Sequence, residues 1–169
     1  MGRVLITGIS GTGKSTVIER IAAAGHRAVD LDGPEWSHVV AVDGDELTGI
    51  GGGEDWVWRE DHVRELLADE AGDLLFVSGT SPNQGQFYER FDAVILLSCA
   101  PDVMVDRLAT RTTNDFGKRP NELARIMAIR NEIEPLLRRG ATHEIDTASP
   151  LDDVVAAIIR IGRVGDSTG

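Results

Sequence analysis

Residues Gly8-Ile9-Ser10-Gly11-Thr12-Gly13-Lys14-Ser15 fit the pattern G-x-x-x-x-G-K-[ST], a combination of residue types suited to holding a polyphosphate. Gly8, Gly11 and Gly13 let successive backbone N–H groups turn inward around phosphate oxygens, and Thr12 and Thr16 lie within or just after the turn. Lys14 supplies a compact ammonium for the β- and γ-phosphates, and the Ser15 hydroxyl is placed to hold Mg²⁺. The flanks agree with this reading. Arg3-Val4-Leu5-Ile6-Thr7 reads as a short buried strand, and Ser15 to Ala24 reads as a helix, with Ile18, Ile21 and Ala22 at core spacing and Gly25 as its stop. A strand ending in such a loop and running into a helix aims the helix N-terminus at an anion. The pattern predicts a site for a nucleoside triphosphate, with ATP and Mg²⁺ as cofactors.

A second group follows about sixteen residues after the lysine. Asp30-Leu31-Asp32 ends a short predicted strand, and alternate residues of an extended segment face the same way, so both carboxylates can converge on one site. One of the two can help order the waters around Mg²⁺ while the other meets an acceptor hydroxyl. Motors and switches usually place an Asp at the end of another apolar strand. Here Leu74-Leu75-Phe76-Val77 ends in Ser78-Gly79-Thr80, the other central strand ends in Ser98-Cys99, and there is no Asn-Lys-x-Asp element. The acids therefore point toward phosphoryl transfer to a small acceptor. Arg111, Lys118 and Arg119 flank a polar, glycine-containing segment, and such a segment could close over ATP phosphates and bring cations with it.

Around these groups the chain alternates strand and helix. Strands are predicted at residues 3–7, 27–30, 73–78, 93–99 and 143–146, and helices at 14–24, 55–70, 101–111, 120–138 and 151–161. Alternation of this kind implies parallel crossovers with helices on both faces of a sheet. Residues 31–54, 79–91 and 112–119 carry Gly, Pro, Asn and Asp without clear periodicity. They follow strand or helix ends, where ligands bind in doubly wound sheets. Trp36, Trp56 and Trp58 lie in or beside the first of these segments, either to stack on a ring-bearing acceptor or to plug the segment onto the core. The four histidines have no metal-ligand spacing, and the single cysteine, Cys99, reads as a small buried hydrophobe.

Composition sets outer limits. The 169 residues suffice for one domain with a sizeable core, with 41% hydrophobic and 27% charged residues. No apolar run approaches a membrane span, and the N-terminus enters a strand and loop at once, so no membrane association and a cytoplasmic location are expected. A net charge of −11 argues against a nucleic-acid partner, because phosphate affinity draws on Lys and Arg. Only two lysines, Lys14 and Lys118, stand against fifteen arginines, and Lys14 sits where a point charge suits phosphate better than a planar fork.

Taken together, the phosphate loop, the Asp30-x-Asp32 pair and the element order resemble the shikimate kinase branch of small phosphate-loop kinases, which also includes gluconate kinases and neighbours nucleoside monophosphate kinases. The resemblance covers nearly the whole chain. It implies a three-layer α/β/α sandwich with a five-stranded parallel sheet, in the order 2-3-1-4-5, plus a lid at 111–120. It implies that Asp30 supports Mg²⁺ and that Asp32 contacts the acceptor hydroxyl. Gly53-Glu54-Asp55-Trp56-Val57-Trp58-Arg59-Glu60 is similar to the family's Gly-Glu-x-x-Phe-Arg-x-x-Glu, which gives Arg59 a role in binding an anionic group of the acceptor. Ser78-Gly79-Thr80 falls where the family has a glycine triplet, so Gly79 and Thr80 become acceptor-contacting candidates. Arg111 matches a lid arginine near adenine and phosphates, and Arg130 looks like a later helix arginine that helps hold the acceptor.

The resulting expectation is a single kinase-like domain over residues 1–164 with a frayed tail at 165–169, substrate segments at 31–60 and 79–91, and transfer of the ATP γ-phosphoryl group to a hydroxyl of a small, anionic metabolite. Lys14, Asp32 and Arg111 would form the catalytic set. Two alternatives stay open: a nucleoside or nucleotide kinase, and an ATP-binding regulatory or interaction module with weak ATPase activity.

Overall fold

The computed structural model describes residues 2–41, 54–112, 115 and 117–166. Five parallel strands form the central sheet: β1 (Gly2–Thr7), β2 (Arg27–Asp30), β5 (Leu74–Ser78), β6 (Ala93–Ser98) and β7 (His143–Asp146). Their spatial order is β2-β5-β1-β6-β7. The five strands expected from the sequence thus lie second, third, first, fourth and fifth. The numbering shifts because two further strands intervene, β3 (Ser37–Ala41) and β4 (Glu54–Trp58), which pair antiparallel as a separate two-stranded sheet.

Helices α1 (Lys14–Ala23), α2 (Glu60–Ala68), α3 (Pro101–Thr110), α4 (Pro120–Gly140) and α5 (Leu151–Asp166) cover the sheet. Strands β1 and β6 are buried along their whole length, as expected of central strands covered on both faces, with apolar runs at Val4 to Ile6 and Ala93 to Leu97. One side packs Val4, Ile6, Phe76 and Ile95 against Ile18, Ile21 and Ile158 of α1 and α5. The other packs Leu5, Leu75 and Val77 against Val63 and Leu67 of α2 and the fully buried Trp58. A third cluster joins Ile9, Leu96 and Cys99 to Met104, Leu108, Ile126 and Leu137 of α3 and α4.

Three sequence expectations need correction. The helix expected from residue 55 starts at Glu60, because Asp55 to Trp58 belong to β4. The aromatic and β-branched side chains of Trp56, Val57 and Trp58 fit a pleated surface better than a helix. Residues 37–41, read as irregular, form a strand for the same pairing. The last helix continues through Asp166, where a frayed tail was expected from 165; residues 167–169 of that tail and Gly51-Gly52-Gly53 lie outside the described residues.

One buried cation locks the C-terminal end of α2 to the start of the central strand β1. Arg3 Nε donates to the Leu67 carbonyl at 2.6 Å and its Nη2 to the Asp69 carbonyl at 2.7 Å, which satisfies carbonyls left open at the helix C-terminus. Arg3→Met removes both charge-assisted bonds and leaves the buried Leu67 carbonyl without this donor. A loss of about 2–3 kcal/mol in urea-unfolding free energy is expected, with ATP binding retained.

Candidate functional site

The phosphate loop is built where β1 runs out of sheet partners. Gly13 takes φ 99°, a left-handed conformation that favours glycine, and it is the residue from which α1 springs. The Thr12 hydroxyl donates to the Ile9 carbonyl at 2.7 Å, so this side chain closes the loop from within rather than facing a ligand. Because α1 begins at Lys14, the amides of its first turn have no helical acceptor and face the loop's concavity. Lys14 folds back so that Nζ donates to the Gly8 carbonyl. Gly11, Gly13, Lys14, Ser15 and Thr16 all line one cavity of about 680 Å³.

Asp30 and Asp32 line the same cavity, which brings the acids at and just beyond the end of β2 to the loop's site. The turn between them is self-organised, for the Asp32 N–H donates to Asp30 Oδ1 at 3.0 Å. The Asp32 carboxylate accepts from the Thr80 N–H at 3.1 and 3.3 Å and from Trp58 Nε1 at 3.4 Å, while Trp56 Nε1 donates to the Asp32 carbonyl at 3.0 Å. Trp56 and Trp58 are therefore supports of Asp32. Trp58 is fully buried, as the core-plug alternative expected. Burial pushes the Asp32 carboxyl up, against the opposing pull of Lys14 and the Thr80 N–H. Burial pushes the Lys14 ammonium down, while Asp32 and Asp30 hold it up and the Arg111 charge adds to the lowering. Each group thus favours the charged form of the other.

Gly79 shows why no side chain fits at that position. A Cβ there would stand 2.9 Å from Asp32 Oδ1 and 3.1 Å from the Trp58 ring. Gly79→Ala must displace one of them. We expect about 1–3 kcal/mol of destabilisation by thermal melting, together with reduced turnover.

On the far side of the cavity α3 contributes Arg107 and Thr110, with Arg111 just beyond its end. Sequence reasoning singled out Arg111 and missed Arg107, one helical turn earlier on the same face. Arg107 Nη1 donates to Thr147 Oγ1 at 2.7 Å and to the Thr12 carbonyl at 3.4 Å, and Nη2 donates to the Thr147 carbonyl. Arg107 thus ties the phosphate loop to the turn after β7, and Thr147, Ser149 and Leu151 of that region also line the cavity. The i, i+4 spacing to Arg111 was the available signal for Arg107; nothing local marked Thr147.

Other candidates sit elsewhere. Lys118 Nζ pairs with Asp115 Oδ1 at 2.9 Å within the lid segment, and Arg119 is exposed at the start of α4; neither lines this cavity. Residues 113, 114 and 116 of that segment lie outside the described residues. Arg59 lines a second cavity of about 320 Å³ with His38, His62 and Asn83, on the hairpin side of Trp58. Arg130 on α4 stands 3.9 Å from the buried Glu134 carboxylate and does not reach the Lys14 cavity. The Thr80 hydroxyl is turned toward Gly8, which it contacts at both amide and carbonyl.

Among the described residues no cluster of three or more His, Cys, Asp or Glu side chains could hold a metal ion. A divalent ion would instead use the cavity-facing oxygens of Ser15 and Asp30 together with phosphate and water oxygens. That hard, sparse donor set fits Mg²⁺, which keeps most of its waters. No helix among the described residues is long and apolar enough to cross a membrane.

The architecture recurs in solved structures. A shikimate kinase from Acinetobacter baumannii in complex with shikimate superposes with a TM-score of 0.63 at 16% identity, over 100% of this chain and 96% of that one. A shikimate kinase from Bacteroides thetaiotaomicron gives 0.62 at 17% identity, covering 96% and 97%. A gluconokinase from Sinorhizobium meliloti gives 0.55 at 22% identity, covering 98% and 94%. The fold is that of the small phosphate-loop kinases. No curated protein matches the chain in sequence. Residues 4–128, which carry the phosphate loop, the two acids, β5 and α3, match the AAA domain family, and the chain belongs to that family.

Proposed function

We propose that this chain transfers the γ-phosphoryl group of MgATP to a hydroxyl of a small molecule. The observation that carries this reading is the placement of Lys14 and Asp32 in the lining of one cavity, each favouring the other's charged form. A nucleotide-only module needs the lysine but has no use for a carboxylate held across from it by the Thr80 and Trp58 N–H groups.

In this reading the triphosphate lies along the first turn of α1, with the base toward the turn after β7 and Arg107 beneath it. Lys14 leaves the Gly8 carbonyl for the phosphates. Arg111, close enough for its charge to act on Lys14, balances the charge of the transferring group from above. The Asp32 carboxylate, aimed by Thr80 and Trp58, accepts the proton of the attacking hydroxyl. Mg²⁺, held through Ser15 and Asp30, supplies electrostatic neutralisation of the phosphate oxygens.

The acceptor segments include the hairpin β3–β4 and the turn after β5. Arg59 and the second cavity belong to that side, where an anionic end of the acceptor would find the guanidinium. The test is coupled ADP release across a panel of small hydroxylated compounds, sugar acids, polyols and nucleosides among them. An acceptor that raises turnover well above basal hydrolysis supports the kinase reading. If ATP binds but no acceptor raises it, the regulatory-module reading stands instead.

A further inference from the structure

Between the phosphate loop and Asp32 stands one residue bonded to both. The Thr80 hydroxyl donates to the Gly8 carbonyl at 2.6 Å and accepts from the Gly8 N–H at 3.2 Å, so it closes both backbone groups of the first loop glycine. The Gly8 carbonyl is also the acceptor on which Lys14 rests. From the backbone of the same residue, the Thr80 N–H donates to both oxygens of Asp32. The preceding Gly79 N–H donates to the Ile6 carbonyl at 3.0 Å, which fixes the turn against the end of β1.

A second line of bonds closes the bracket. The Thr80 hydroxyl lies 3.1 Å from Thr7 Oγ1, and Gln84 Nε2 donates to Thr7 Oγ1 at 3.2 Å while Gln84 Oε1 accepts from the Ser81 N–H at 2.9 Å. Ser81 Oγ accepts from the Trp58 N–H at 3.1 Å, and the Trp58 indole returns to Asp32. Gln84 is buried and its position is fixed by this network together with the Tyr88 hydroxyl at 2.8 Å. Phosphate loop and acid are thus joined by side chains that no ligand needs to touch.

We infer that Thr80 is a positioning residue for phosphoryl transfer, holding Gly8 through its hydroxyl and Asp32 through its amide so that the nucleotide and the proton acceptor keep one register. The inference rests on the kinase reading above and assigns Thr80 a role distinct from acceptor contact. Its hydroxyl proton goes to the Gly8 carbonyl and its oxygen meets the Gly8 N–H and Thr7 Oγ1, so an acceptor molecule would have to break one of these contacts to use it.

The test uses the full chain with MgATP, reading steady-state ADP release with water as the acceptor. Thr80→Val keeps the branched shape and the amide but leaves both Gly8 groups without the hydroxyl. Its kcat is expected to fall at least fivefold while KM for MgATP stays within threefold. Thr80→Ser restores the hydroxyl and is expected to return kcat to within twofold of wild type. Should Thr80→Val fail to fold, Thr80→Ala is read in the same way. An unchanged kcat in Thr80→Val, an equal loss in Thr80→Ser, or a loss confined to KM and melting temperature overturns the assignment while leaving the kinase reading intact. If wild type releases no ADP under any condition, the kinase reading fails and this inference fails with it.

Discussion

Replacing Lys14 with alanine is expected to lower phosphotransfer by about 10²–10³-fold, the usual cost of removing one preorganised charge donor from a transition state. The position leaves little room for substitutes. Lys14 opens α1, so its side chain starts beside the free amides of the first turn and swings over the loop. Its resting bond to the Gly8 carbonyl keeps the ammonium inside the cavity before any phosphate arrives. Arginine is not expected to rescue the loss, because its planar fork does not fit a cradle shaped for a point charge. Titration with MgATP and single-turnover measurement separate binding from chemistry, and turnover within tenfold of wild type in Lys14→Ala would contradict the assignment. Without its ammonium neighbour the Asp32 carboxyl is expected to rise further, since Lys14 is the strongest influence now holding it down.

Asp32→Asn is expected to cost about 10²–10⁴-fold in kcat with an acceptor bound, the range associated with loss of a general base. Asparagine keeps the shape and can still accept from Thr80 and Trp58 through its carbonyl oxygen, so binding of MgATP should survive. In the wild type, burial raises the Asp32 carboxyl above the ordinary carboxylate range, so the acid limb of kcat against pH should lie above that range as well. The stability effect has the opposite sign. A carboxyl whose folded pKa is raised contributes stability below its unfolded pKa and loses it as pH rises through the folded value. The amide introduced by Asp32→Asn carries no charge over that window, so the variant should melt no lower than wild type at neutral pH. A variant that is both unstable and unable to bind MgATP would show that Asp32 is structural, and a fully active one would remove it from the chemistry.

The nucleotide half of the site was legible in the sequence because its information is local. Gly8 to Ser15 is contiguous, its strand and helix follow at once, and the continuous apolar runs of β5 and β6 announce a sheet buried on both faces. Asp30 and Asp32 were legible because strand alternation brings both toward one side. The hairpin was not. Strand β4 runs almost directly into α2, so Val57 extended the apolar spacing of Val63, Leu66 and Leu67 backward and disguised a strand as the start of a helix. Arg107 and Thr147 are common residue types whose importance arises from partners forty to ninety-five positions away, and no pattern along the chain records such distances. Arg59 drew attention through a motif-like setting, and the fold places it in the cavity beside Trp58 to which the proposal above assigns the acceptor's anionic end.

The pairing of Ile6 with Ser78 and of Ser78 with Asp30 puts the ends of β1, β5 and β2 in a single row. Adjacent strands in a sheet are about 4.8 Å apart, so the chain segments bearing the phosphate loop and the acids start roughly 10 Å from each other. That gap is set by backbone hydrogen bonding and owes nothing to the side chains that fill it. On the proposed reading the sheet therefore acts as a ruler, cut to the length of a phosphoryl group with a reaching side chain on either side. Lengthening β5 by one residue would shift the row and misalign donor and acceptor together.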